Sequence, residues 1–170
     1  MKKKGTIRLA GYITIIILDV FLVMQGDLWT ENLSINASKS IINYLLLLLL
    51  TIIMAATYYY PINKYGKKSL ALIFCLAILG IGIVPYNIDP LINSIHIIVA
   101  YACFTLASAI SLYIIQSSYS RYKNTSMVIM LVVLAITGIT YLKVMVINGF
   151  MQLIYIVGLD LTIMILDLGS

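Results

Sequence analysis

Charge is scarce in this chain. Only 10% of its 170 residues are Asp, Glu, Lys or Arg, against about 25% in an average globular domain. With 62% hydrophobic residues and a mean hydropathy of +1.07, a water-facing surface cannot be assembled, and the bilayer must serve as solvent. Histidine occurs once, at His96, and cysteine twice, at Cys75 and Cys103, with no Cys-x-x-Cys spacing. That set is too thin for a metal centre or a disulfide framework, so neither a metal nor any other cofactor is expected. The two thiols lie inside apolar runs and are expected to pack as small hydrophobes. No basic stripe with interleaved aromatics occurs, which excludes nucleic acid as a partner. The net charge of +5 comes instead from short Lys and Arg clusters between apolar runs, the pattern that orients membrane proteins.

What is abundant is apolar sequence in blocks of spanning length. Six spans are expected within one transmembrane domain covering 1–170, at about 9–24, 41–60, 69–84, 91–115, 126–147 and 150–168. Each is near the roughly 20 residues that cross a bilayer core, and backbone polarity in lipid requires them to be helices. The expected fold is therefore all-α, a polytopic six-helix bundle. Pro61 and Pro85 are expected to end the second and third spans. The first span follows Met1-Lys-Lys-Lys4 without an Ala-x-Ala-like site after it, which reads as an uncleaved helix. The segment 25–40 reads as the one long loop. Within it, Asn32-Leu-Ser34 and Asn36-Ala-Ser38 match the glycosylation acceptor pattern, a match that arises easily by chance.

Lys2, Lys3, Lys4 and Arg8, then Lys64, Lys67 and Lys68, then Arg121 and Lys123, all fall on one side of the six-span scheme. The positive-inside rule places that side, with both termini, in the cytoplasm. The preference for Lys over Arg, with abundant Ile, Asn and Tyr, resembles the product of an AT-rich bacterial genome, so the expected location is a bacterial plasma membrane. Ionisable groups at membrane depth mark candidate sites because they are costly there. Asp19 lies about 16 Å along its span and Asp160 about 15 Å along its own. His96, Asn93, Lys143 and Gln152 sit nearer the outer ends. Together Asp19, Asn93, His96, Lys143, Gln152 and Asp160 form the candidate binding set, a polar recess open to the outer leaflet, with Asp19 and Lys143 as the expected neighbours of His96. The alternative is structural: Lys143 snorkels, and Asp19 only fixes helix packing. Neither Asp19 nor Asp160 has a second carboxylate within one helical turn, so no acid/base pair is visible. His96, Ala100, Cys103, Ala107 and Ser111 recur at helical spacing and predict a buried, closely packed face.

Around this stretch the chain resembles the bacterial six-helix membrane proteins related to the Frag, DRAM and Sfk group, through Gly82-Ile-Val-Pro85, His96, Ala100 and Phe104. That resemblance covers about residues 66–115 and implies a lipid-related or stress-related membrane role. The seven-residue separation of His96 and Cys103 is similar to that in AgrB-type peptide-processing endopeptidases, although the basic, Gly-containing run that precedes the His there is missing. Six spans alone also look like the substrate-binding membrane subunits of vitamin importers. The expected function is non-enzymatic: binding of a membrane lipid or small amphiphile, or service as an accessory or immunity-type partner of another membrane protein or as a homo-oligomer.

Overall fold

The computed structural model describes residues 2–84, 86, 89–145 and 147–169, the side chains of residues 2–4 excepted. Among the described residues every regular element is helical: α1 Lys2–Val23, α2 Leu33–Ser38, α3 Ile41–Tyr65, α4 Lys68–Ile83, α5 Pro90–Ser117, α6 Lys123–Val144 and α7 Gly149–Leu168. Five of these, namely α1, α3, α5, α6 and α7, are long and apolar enough to cross a membrane. The apolar α4 has 16 residues, which is about 24 Å of helix against a hydrocarbon core of about 30 Å.

Local sequence sets the helix ends. Asn32, Ser40, Asp89 and Asn148 each stand at an N-cap, and their side-chain oxygens accept from Ile35 N–H, Asn43 N–H, Leu91 N–H and Met151 N–H. Each satisfies an amide that the first turn leaves orphaned. Pro90 adds a preset φ at the start of α5. At the far end of α6, Met145 adopts φ 57° and its N–H closes on Tyr141 C=O at 2.7 Å.

Three expectations are corrected. Pro61 does not end its span: α3 continues to Tyr65 with Pro61 buried inside it. A missing amide is tolerated where neighbouring helices cover the freed carbonyl, and Ile62, next to it, is fully buried. The segment 25–40 is not a simple loop, because it contains α2. The fifth expected span, 126–147, ends early, since α6 stops at Val144, leaving Lys143 exposed in its last turn. Pro85, the expected end of the third span, lies outside the described residues.

The long helices and α4 form a closed ring in the order α1, α3, α4, α5, α6, α7 and back to α1. The tightest seams are α3–α4 and α6–α7, and the loosest is α5–α6. Small residues set the close approaches: a Cβ on Gly158 of α7 would come within 3.0 and 3.1 Å of Val133 Cγ1 and Cβ on α6, and closer still to Cγ2. Lipid offers no hydrophobic drive between helices, so such packing carries the association.

The segment before α2 is pinned to the start of α7. Gly149 N–H donates to Glu31 C=O at 2.6 Å, Phe150 N–H donates to Leu28 C=O at 2.9 Å, and Trp29 stacks on Phe150 with ring centroids 5.0 Å apart. Both glycosylation-like asparagines are used internally. Asn32 Nδ2 donates to Ile147 C=O at 3.2 Å, and the buried Asn36 donates to Leu22 and Val23 C=O at 3.1 and 3.3 Å.

Candidate functional site

α2 dips into the α2 end of the ring and meets the start of α5. There His96 is 4% exposed and Ser34 is 6% exposed. His96 Nδ1 lies 2.7 Å from Val84 C=O, and His96 Nε2 lies 2.8 Å from Ser34 Oγ. A carbonyl can only accept, so Nδ1 carries the hydrogen, and in the neutral ring Nε2 accepts from the Ser34 hydroxyl. Tyr86 packs edge-on against the imidazole, with centroids 5.6 Å apart. The expected neighbours of His96, Asp19 and Lys143, are therefore replaced by Ser34, Val84 and Tyr86. The reason is α2, which fills the space that a loop would have left open. Neither ring nitrogen bonds to Cys103. That thiol lies on the same face of α5 with Ala107 and Ser111, all buried, as the small-residue spacing predicts.

Two cavities meet at this pair. The first, about 380 Å³, lies between α3, α5, α6 and α7 beneath α2, and its wall includes Leu47, Met54, Cys103, Phe104, Leu134 and Leu159. Its wall also holds Tyr101, Thr105 and Gly138, which are exposed, so it opens sideways where α5 and α6 part. Tyr101 and Tyr141 hydroxyls bridge that seam at 3.3 Å. The second, about 430 Å³, is polar on one side, with Ser34, Ser38, Ser40, Tyr44, Tyr86 and His96 in its wall. Ser34 and Leu47 line both. Gln152 reaches the first cavity, and its Oε1 accepts from Leu33 N–H at 2.6 Å.

The remaining candidates lie elsewhere. Asn93 is half-buried in the first turn of α5, and Lys143 is exposed at the end of α6. Among the described residues, the ion pairs are Arg8–Asp167 at 2.6 Å and Lys39–Glu31 at 2.6 Å. Neither Asp19 nor Lys143 takes part in these pairs. Asp19 and Asp160 are both fully buried and come together from α1 and α7, close enough for Asp160 to act electrostatically on Asp19. Tyr58 of α3 donates to Asp160 Oδ1 at 2.8 Å, while Asp160 Oδ2 and both oxygens of Asp19 accept from no group among the described residues. Tyr12 sits beside Tyr58, with centroids 6.2 Å apart, and donates to Asp167 Oδ2 at 3.3 Å. Arg8 Nε closes this polar column on Asp167 at the end of the ring opposite α2. The carboxyl pair was hidden from the sequence because its partners are 141 positions apart on different helices.

Outside the membrane-spanning helices, two carboxyls are held below their ordinary range. Asp27 is lowered by the N–H groups of Trp29 and Thr30, and Glu31 by the ammonium of Lys39 and the Asp27 N–H.

Set against known protein families, curated proteins and solved structures, the chain matches none of them.

Proposed function

We infer that this is a six-span protein of a bacterial plasma membrane, with both termini cytoplasmic, that binds a lipid chain or single-chain amphiphile from the outer leaflet. The observation that carries this reading is the apolar cavity of about 380 Å³. It opens sideways between α5 and α6 and abuts a polar cavity at Ser34. An acyl chain would lie along Phe104, Leu134 and Leu159, and a polar head would meet Ser38, Ser40, Tyr44 and His96. An apolar void of this size buried against lipid costs contact energy unless something fills it, and a few convergent polar groups at one end are what orient an amphiphile. The weak resemblance to the Frag, DRAM and Sfk group agrees with a lipid-related role.

Gly138 offers the test. A Cβ there meets nothing within 4 Å, and the residue lines the cavity. Gly138→Phe fills the space and removes a helix-interior glycine, a change worth several tenths of a kcal/mol in favour of the helix. Native mass spectrometry of the purified protein should show co-purified lipid in the wild type and much less in Gly138→Phe, at equal or higher thermal stability. Wild-type protein without bound lipid, or unchanged occupancy in the variant, would overturn the reading. Orientation is read separately in a cysteine-free background. A cysteine at exposed Thr30 should react with an impermeant thiol reagent on intact cells, and one at Tyr119, which is 97% exposed, should not. The reverse pattern would invert the topology, and labelling of both would leave α4 short of a full span.

A further inference from the structure

The contact between Ser34 and His96 has the geometry of a nucleophile and its general base. We propose that Ser34 is an acyl-accepting nucleophile and His96 its base, so that the site hydrolyses a long-chain carboxylic ester whose chain occupies the apolar cavity. This rests on the amphiphile-binding reading above and adds chemistry to it.

Three features of the pair carry the inference. The first is direction. Nδ1–H is committed to Val84 C=O at 2.7 Å, so the lone pair of Nε2 faces Ser34 Oγ at 2.8 Å and the hydroxyl is the donor. A base hydrogen-bonded to the nucleophile and oriented from its other nitrogen by a third group is the arrangement that activates a serine. Here a backbone carbonyl takes the orienting place, and the Tyr86 ring edge holds the imidazole plane. The second is access. A hydroxyl engaged only in packing would be enclosed on all sides, whereas Ser34 lines the apolar cavity and the polar cavity at once. An ester carbonyl sits at the same kind of boundary in an amphiphile, between chain and head. The third is a donor for the developing negative charge. Gln152 lines the same cavity, and its Oε1 is fixed by Leu33 N–H, the residue preceding Ser34, at 2.6 Å. Since an N–H must face an oxygen there, the amide orientation is set, and its Nε2 hydrogens are left for a bound oxygen.

The steps balance without any cofactor. Ser34 Oγ bonds to the ester carbonyl carbon as its proton passes to His96 Nε2. The tetrahedral oxyanion collapses, the ester C–O bond breaks, and the leaving alkoxide takes the proton from His96. Water then attacks the acyl–Ser34 carbonyl, giving its proton to His96. The second collapse releases the carboxylic acid, and the His96 proton returns to Ser34 Oγ. The net change is ester plus water to acid plus alcohol.

A fluorophosphonate probe bearing a long alkyl chain reads the nucleophile directly in the detergent-purified full chain. Peptide mapping should place the adduct on Ser34, with labelling lost in Ser34→Ala and reduced roughly 100-fold or more in His96→Ala, the low end of what a general base contributes. His96→Asn is the second variant, retaining a group of similar size should His96→Ala fail to fold. Hydrolysis of a para-nitrophenyl ester should favour a long over a short chain, and Gly138→Phe should remove that preference. Wild-type protein that carries co-purified lipid but leaves Ser34 unlabelled would overturn the nucleophile while sparing the binding reading. Labelling that persists unchanged in both His96 variants would overturn the base. Absence of bound lipid together with Ser34 labelling would overturn the binding reading alone.

Discussion

Replacing Tyr58 by Phe tests whether the buried polar column is a set of real interactions. The change removes one oxygen. The ring contacts to Tyr12, at 6.2 Å, and to Phe74, at 5.8 Å, stay in place. What is lost is the 2.8 Å hydrogen bond to Asp160 Oδ1. Hydrogen bonds between membrane helices average only about 0.6 kcal/mol, with a maximum near 1.7, because the unfolded reference finds other partners. Stranding a buried acceptor costs about 1–3 kcal/mol. The second figure governs here. Asp160 has 0% exposure, and its other oxygen already lacks a partner, so no alternative donor stands ready. The expected cost is about 1.5 kcal/mol, read as a shift in SDS-induced unfolding of the detergent-solubilised protein. The control is the cycle with Asp160→Leu. Once the acceptor is gone, Tyr58→Phe should cost about zero, giving a coupling of about 1–1.5 kcal/mol. A Tyr58→Phe cost below about 0.5 kcal/mol, or full additivity with Asp160→Leu, would refute the reasoning.

Packing and pH supply further expectations. Gly158→Ala forces a methyl into the Val133 side chain, which is β-branched and cannot swing aside. It should cost about 1–3 kcal/mol, and Val133→Ala on the same background should recover most of that; an additive double variant would contradict the contact. The lone tryptophan, Trp29, reports on the 27–31 segment through its stack on Phe150. Asp27 and Glu31 have lowered values in the folded state, so the stabilisation they give is complete above the ordinary carboxylate range near about 4 and is lost as pH falls through their folded values. Trp29 emission should therefore hold steady from neutral pH down to that range and change only beneath it, and a transition near neutrality would show that other groups control the segment.

Helix periodicity and span length were legible in the sequence because they are local. The buried face of α5 at His96, Cys103, Ala107 and Ser111 followed from spacing alone. Pro61 misled because a proline breaks an isolated helix, whereas here the surrounding ring encloses its turn. The 25–40 segment misled for the opposite reason. Its two asparagines matched a surface modification pattern, yet one caps α2 and the other binds the end of α1. The one available signal was local: Asn32 standing three residues before Ile35, as an N-cap stands before the amide it satisfies.

The partners that matter chemically are separated by 62 residues for Ser34–His96 and 102 for Tyr58–Asp160, distances over which no periodicity carries information. They also fall into two separate regions, which bears on how polar residues at membrane depth should be read. Treating all of them as one recess merged two designs. On the α1–α3–α7 side, Asp160, Tyr58, Tyr12, Asp167 and Arg8 make a polar column that lines neither cavity. On the α5–α6 side, where the ring is loosest, the cavity walls carry hydroxyls, an amide and one imidazole but no Asp, Glu, Lys or Arg, and each of Ser34, His96 and Gln152 lies on a cavity wall. A charged group facing that sideways opening would lose its hydration against an acyl chain, and Asp19 and Asp160 lie away from it. The carboxyls thus sit among α1, α3 and α7, apart from the loose α5–α6 seam through which the proposed ligand would enter, so substitutions in the column should change stability and leave chain occupancy alone.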